Sequence, residues 1–108
     1  MAAIPEIEPL ELKRRLDAGE ALTLLDVREP WEVAIAHIPG SLNIPLSEVP
    51  ARLSELDSAG ALIVLCKVGG RSLRAAQFLS ARGFSHVANL SGGIDAWARD
   101  IDPGLPSY

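Results

Sequence analysis

The stretch Leu62-Ile63-Val64-Leu65-Cys66-Lys67-Val68-Gly69-Gly70-Arg71-Ser72 decides the fold. Its opening residues form a continuous apolar run, the pattern of a strand buried on both faces. From Ser72 the period changes. Leu73, Ala76 and Leu79 to Ala81 recur at helical spacing, and Gly83 stops the segment. This predicts a helix over Arg71 to Arg82. Cys66, the only cysteine in the chain, stands where a buried strand gives way to a helix. In an α/β sheet that is the carboxyl end of a strand, where binding sites collect.

Outward from this stretch, strands and helices alternate. Pro9 to Ala18 reads as a helix with Leu10, Leu12 and Leu16 on its apolar side and Gly19 at its end. Leu22 to Leu25 is a second apolar run, closed by Asp26-Val27-Arg28. Pro30 suits the first turn of a short helix over Trp31 to Ala36. His37-Ile38-Pro39-Gly40 is a turn, and Ser41 to Ile44 a short strand. Ser47 is expected to cap a helix through Leu56, with Pro50 near its start. Ser85 to Leu90 reads as a strand and Ile94 to Ala98 as a short helix carrying Trp97. The order predicts an α/β domain, a central parallel sheet with helices on both faces. At 108 residues it is a single domain, with residues 1–8 and 102–108 as peripheral tails.

Composition narrows the function. Net charge is −4, which argues against nucleic acid or an anionic membrane as a general partner. No apolar run is long enough to span a bilayer, and the first residues lack the basic and apolar regions of a signal peptide. One cysteine makes neither an internal disulfide nor a cysteine-based zinc site. A reducing, cytoplasmic setting and no metal or cofactor are the simplest expectations.

The loop after Cys66 has its own chemistry. Backbone N–H groups in a tight turn leading into a helix are unpaired, and with the helix dipole they attract negative charge. Gly69 and Gly70 let the backbone curl closely. Lys67 and Arg71 add positive charge, so the loop favours an anionic sulfur, the nucleophilic form of cysteine. A cysteine after an apolar strand is commonly just a small buried hydrophobe. Two features point elsewhere. Lys67, Gly69 and Gly70 take the chain out of the core at once, and Arg71 opens a helix where a cation opposes the dipole. An arginine so placed suggests an anion nearby, although a solvated side chain is the alternative.

The sequence resembles the rhodanese-like sulfurtransferase family over nearly its whole length. The likeness rests on Asp26-Val27-Arg28-Glu29, on His37-Ile38-Pro39-Gly40-Ser41 with Asn43-Ile44-Pro45, on Cys66 to Ser72, and on Gly92-Gly93 followed by Trp97. It implies a single rhodanese-like domain in which Cys66 takes a sulfane sulfur from a small anionic donor such as thiosulfate. The intermediate is a covalent persulfide. The backbone of Lys67, Val68, Gly69, Gly70, Arg71 and Ser72 would cradle it, and a nucleophilic acceptor would remove the outer sulfur. Asp26 would support the structure near the loop. Arg28 would be either a second cation at the mouth or one half of a structural pair. His37 is expected to be locked in its turn by hydrogen bonds, and Trp31 and Trp97 to be packing residues. The ending from Gly92 to Tyr108 resembles the rhodanese domain of adenylyltransferases that activate sulfur carriers, which suggests a sulfur-carrier or persulfide-bearing protein as partner.

Other classes share parts of this pattern. Cysteine phosphatases and arsenate reductases also close a cysteine loop with an arginine. Phosphatase loops are usually one residue longer than Lys67 to Gly70, and an arsenate reductase needs a resolving thiol that this sequence lacks. A non-enzymatic binding module of the same fold would be expected to lack the nucleophile.

Overall fold

The computed structural model describes residues 3–108. The apolar runs become the middle of a five-stranded sheet in the order β1-β5-β4-β2-β3. The strands are β1 Glu6–Ile7, β2 Leu22–Asp26, β3 Leu42–Asn43, β4 Ala61–Leu65 and β5 Val87–Leu90. Every neighbouring pair is parallel. β2 and β4 pair along their whole length, from Leu22 opposite Ala61 to Asp26 opposite Leu65. Parallel pairing requires crossovers, supplied by α1 Pro9–Asp17, α2 Pro30–Ile35, the 3-10 segment Leu46–Glu55 and α3 Gly70–Ala81; α4 Gly93–Asp100 follows the last strand.

The alternation of side chains along β4 explains why its run is apolar throughout. Leu62, Val64 and then Cys66 belong to one core layer, with Ala75, Ala76 and Leu79 of α3. Ile63 and Leu65 belong to the other, with Leu12 of α1 and Ile94 and Trp97 of α4. A strand covered on both faces has no solvent side to make polar. Each fully buried aliphatic side chain here, such as Leu65 or Val64, contributes about 1.5–3 kcal/mol.

Several local expectations need correction. Leu10 is 67% exposed, and the apolar face of α1 is carried by Pro9 and Leu12, with Leu16 partly buried against the same core layer. Ser47 caps nothing. Leu46–Glu55 is a 3-10 segment entered from Pro45, with Pro50 inside it and a break in helical geometry at Arg52. Proline offers no N–H for an α-helical ladder, so the tighter, interrupted form results. The ends of the chain are not simply peripheral. Glu6 and Ile7 form the edge strand β1, opposite Asn89 and Leu90, and the Tyr108 hydroxyl joins the charged groups described below. A strand of two residues is too short to carry an alternating pattern.

Candidate functional site

β4 ends at Leu65, and Cys66 follows at the carboxyl edge of the sheet, buried to 1% exposure. Its sulfur is held locally. The Gly69 N–H donates to Sγ at 3.1 Å, and Ser72 Oγ lies 3.3 Å from it. The loop curls back on itself through Gly69, whose φ of 115° is a left-handed conformation that favours glycine. Among the described residues, the N–H groups of Lys67, Val68, Gly70, Arg71 and Ser72 find no acceptor in the protein. This run of free amides leads into the N-terminus of α3, as an anion cradle requires.

The loop is fixed from behind by α4. The first-turn amides of that helix need acceptors. Ile94 N–H donates to the Cys66 carbonyl at 2.9 Å and Asp95 N–H to the Lys67 carbonyl at 3.1 Å. The approach is close enough to demand glycine at Gly93, where φ is 61° and a Cβ would stand 2.5 Å from the Cys66 carbonyl oxygen. The Gly92-Gly93 pair is therefore part of the loop's scaffold, though it lies distant in sequence.

The cations of the loop are not free. Arg71 grips Glu32 with both terminal nitrogens, Nη1 to Oε2 at 2.7 Å and Nη2 to Oε1 at 2.9 Å. Glu32 Oε2 also accepts the Glu29 N–H at 2.8 Å, across the start of α2. The Arg71 hydrogen bonds hold the Glu32 carboxyl down at about 2 against the opposing effect of burial, with further help from Glu29 N–H and Tyr108. The same pairing raises the Arg71 pKa. Lys67 Nζ pairs with Asp95 at 2.9 Å and stands 4.6 Å over the Tyr108 ring. The anion that an arginine at a helix start suggested is a carboxylate of the chain itself.

Asp26 and Arg28 form a structural pair. Both are 0% exposed. Arg28 Nε and Nη2 donate to the Asp26 carboxylate, Nη2 also to the Ala36 carbonyl at 2.8 Å, and Nη1 to the Glu32 carbonyl and the Tyr108 hydroxyl. Every guanidinium hydrogen thus has an acceptor. Burial works against the charge on Arg28, but its hydrogen bonds to Asp26 and Tyr108 outweigh it and its pKa is raised. Arg28 is not a cation at the mouth.

Other expectations change. His37 is exposed and makes no side-chain hydrogen bond among the described residues, because Ser41 closes that turn through the Ile38 carbonyl. Trp97 is buried, but Trp31 is 61% exposed and touches the edge of Tyr108 at 5.7 Å. A cavity of about 180 Å³ beside the loop is lined by Lys67, Ile94, Asp95 and Tyr108 among others. A larger one, about 490 Å³, lies at the opposite end of the sheet by Ala61 and Val87, remote from this chemistry. Sequence reasoning missed Glu32, Asp95, Asn89 and Tyr108. Only Glu32 carried a signal, a glutamate three residues into a proline-started helix, where it reaches back to the entering amide.

The comparisons with known proteins agree with this geometry. The family model described as the rhodanese-like domain matches residues 8–100. A sulfurtransferase of Allochromatium vinosum is 39% identical over 103 residues, covering 95% of this chain and 94% of that protein. The adenylyltransferase and sulfurtransferase MOCS3-1 of Zea mays is 45% identical over 105 residues, covering 91% of this chain but 22% of that protein. The chain thus spans about a fifth of the length of the maize relatives it matches. The solved structure of the human single-domain sulfurtransferase TSTD1 superposes with a TM-score of 0.79 at 30% identity, covering 91% of this chain and 98% of that one. With a sheet of this order, a cysteine at the carboxyl end of its central strand and a family match over most of its length, the chain belongs to the rhodanese-like family.

Proposed function

We propose that this domain is a sulfurtransferase that works through a persulfide on Cys66. The Cys66 thiolate attacks the outer sulfur of an anionic donor such as thiosulfate. A bond forms between Sγ and that sulfur, the donor's sulfur–sulfur bond breaks, and sulfite leaves with the electron pair. An acceptor nucleophile then attacks the outer sulfur, and Cys66 leaves as the thiolate. The acceptor is cyanide in vitro and a thiol or sulfur-carrier protein in the cell. A sulfur-carrier partner draws support from the maize relative, whose name joins an adenylyltransferase to a sulfurtransferase. A reducing cytoplasm suits this chemistry, and the covalent persulfide is the only intermediate group it requires.

The observation that carries the reading is the run of free amides from Lys67 to Ser72 around a sulfur already held by Gly69 N–H. Preorganised donors of this kind stabilise a departing anion and a charged persulfide. Because Lys67 and Arg71 are already paired with carboxylates, these amides meet the donor's charge first. The arginine fork that would grip a phosphoryl group is bidentate on Glu32, which disfavours phosphatase chemistry. With one cysteine, no neighbouring thiol can discharge the persulfide. After thiosulfate treatment, intact mass under non-reducing conditions should show one added sulfur on the wild type and none on Cys66→Ala. Thiocyanate production from cyanide should be lost in the variant. Equal production by the two proteins would overturn the proposal.

A further inference from the structure

Asn89 of β5 is 2% exposed and lies beside β4 at the level of Val64. Its amide orientation is set by its partners. Nδ2 donates to Glu6 Oε2 at 2.9 Å and to the Gly69 carbonyl at 3.2 Å. An ionised carboxylate and a carbonyl only accept, so the NH2 group must face them. Oδ1 therefore faces Ser72, whose Oγ is 2.5 Å away. Ser72 has a single hydroxyl proton and three acceptors within reach: Asn89 Oδ1, the Gly69 carbonyl at 3.2 Å and Cys66 Sγ at 3.3 Å. The Gly69 carbonyl already accepts from Leu73 N–H and Asn89 Nδ2. Asn89 Oδ1 is nearest and, among the described residues, has no other donor. The proton lies between Ser72 and Asn89, and Ser72 turns a lone pair toward Sγ. A lone pair suits a thiol S–H and opposes a thiolate.

We propose that Asn89 is a positioning residue that competes with the Cys66 sulfur for the one proton of Ser72, and so sets how readily that sulfur ionises. The inference rests on Cys66 being the nucleophile. When the thiol proton passes to a solvent base, the Ser72 hydroxyl rotates from Oδ1 to Sγ, and the buried amide oxygen loses its donor. The loss of that donor opposes formation of the thiolate, against the Gly69 N–H, which donates to Sγ at 3.1 Å and favours it. The charged groups around the sulfur are Arg71 with Glu32 of α2, Lys67 with Asp95 of α4, and Glu6 of β1 through Asn89 itself. The Asp26–Arg28 pair and Tyr108 adjoin Glu32. Of these, only Glu6 touches Asn89.

The test reads the ultraviolet thiolate absorbance of the intact domain against pH, with alkylation by iodoacetamide as a second measure. Asn89→Leu is nearly isosteric and removes the competing oxygen. Its titration midpoint should fall by about one pH unit, with several-fold faster alkylation at neutral pH. Asn89→Ala should shift the same way, and provides the measurement if the leucine variant does not fold. In a Ser72→Ala background, either substitution should leave the midpoint where Ser72→Ala alone puts it, because no proton remains to compete for. No downward shift, or an equal shift with and without Ser72, overturns the proposal. This readout needs no sulfur donor, so it can fail while the added sulfur on Cys66 is still observed, and the reverse.

Discussion

Asp26–Arg28 and Glu32–Arg71 are the same chemical pair placed at two depths. In the first, both side chains are 0% exposed and the guanidinium donates in every direction. In the second, Glu32 is buried at 5% exposure but Arg71 is 37% exposed at the rim of the Cys66 loop. The Tyr108 hydroxyl joins them, accepting from Arg28 and donating to Glu32, both at 2.9 Å. Depth decides what each pair does. A fully buried pair is held because breaking it strands a charge without water. A pair with one partner in water opens at lower cost. Arg28 is therefore part of the frame, and Arg71 stands at the rim of the loop, paired with Glu32.

The largest expected effect is at the buried pair. Arg28→Ala leaves Asp26 buried without its guanidinium and should cost about 3–5 kcal/mol in urea unfolding. Arg28→Lys should recover only part of this, since an ammonium does not reproduce the planar fork. A cost no greater than that of breaking the rim pair would erase the distinction. Glu32→Gln is next, at about 1–2 kcal/mol near neutral pH, kept low by the exposure of Arg71. Folding lowers the Glu32 carboxyl from 4.5 to about 2, so the folded state favours its ionised form. Its contribution is complete above pH 4.5 and is lost as pH falls through about 2. The stability gap between wild type and variant should therefore be flat above that window and close within it. A gap independent of pH would contradict the pairing. Tyr108→Phe should be smallest, about 1 kcal/mol by thermal or urea unfolding. Combined with Glu32→Gln it should cost less than the sum, because the two share a hydrogen bond. Strict additivity would mean that the hydroxyl does not bridge the pairs.

Much of the fold was legible because its signals are local. The run from Leu62 to Leu65 is apolar because β4 is covered on both faces, and the change of period after Ser72 marks α3. Leu10 defeated the same reasoning, because its helical spacing matched a face that Pro9, Leu12 and Leu16 carry without it. Ser47 looked like a cap but precedes Pro50, and the missing N–H outweighed it.

By itself the sequence determined the alternation of strands and helices, the placement of its single cysteine at a strand end, and the glycine loop that follows. Period, composition and turn residues act over a few positions, and they can be read without knowing the chain's path. Tertiary structure decided what the charged and polar side chains do. Arg71 meets Glu32 from 39 positions away, Lys67 meets Asp95 from 28, and Ser72 meets Asn89 from 17. Nothing in local spacing encodes such meetings. They arise because parallel strands bring the ends of α2, α3, α4 and β5 to one edge of the sheet, where depth then separates a fully buried ion pair from one at the rim.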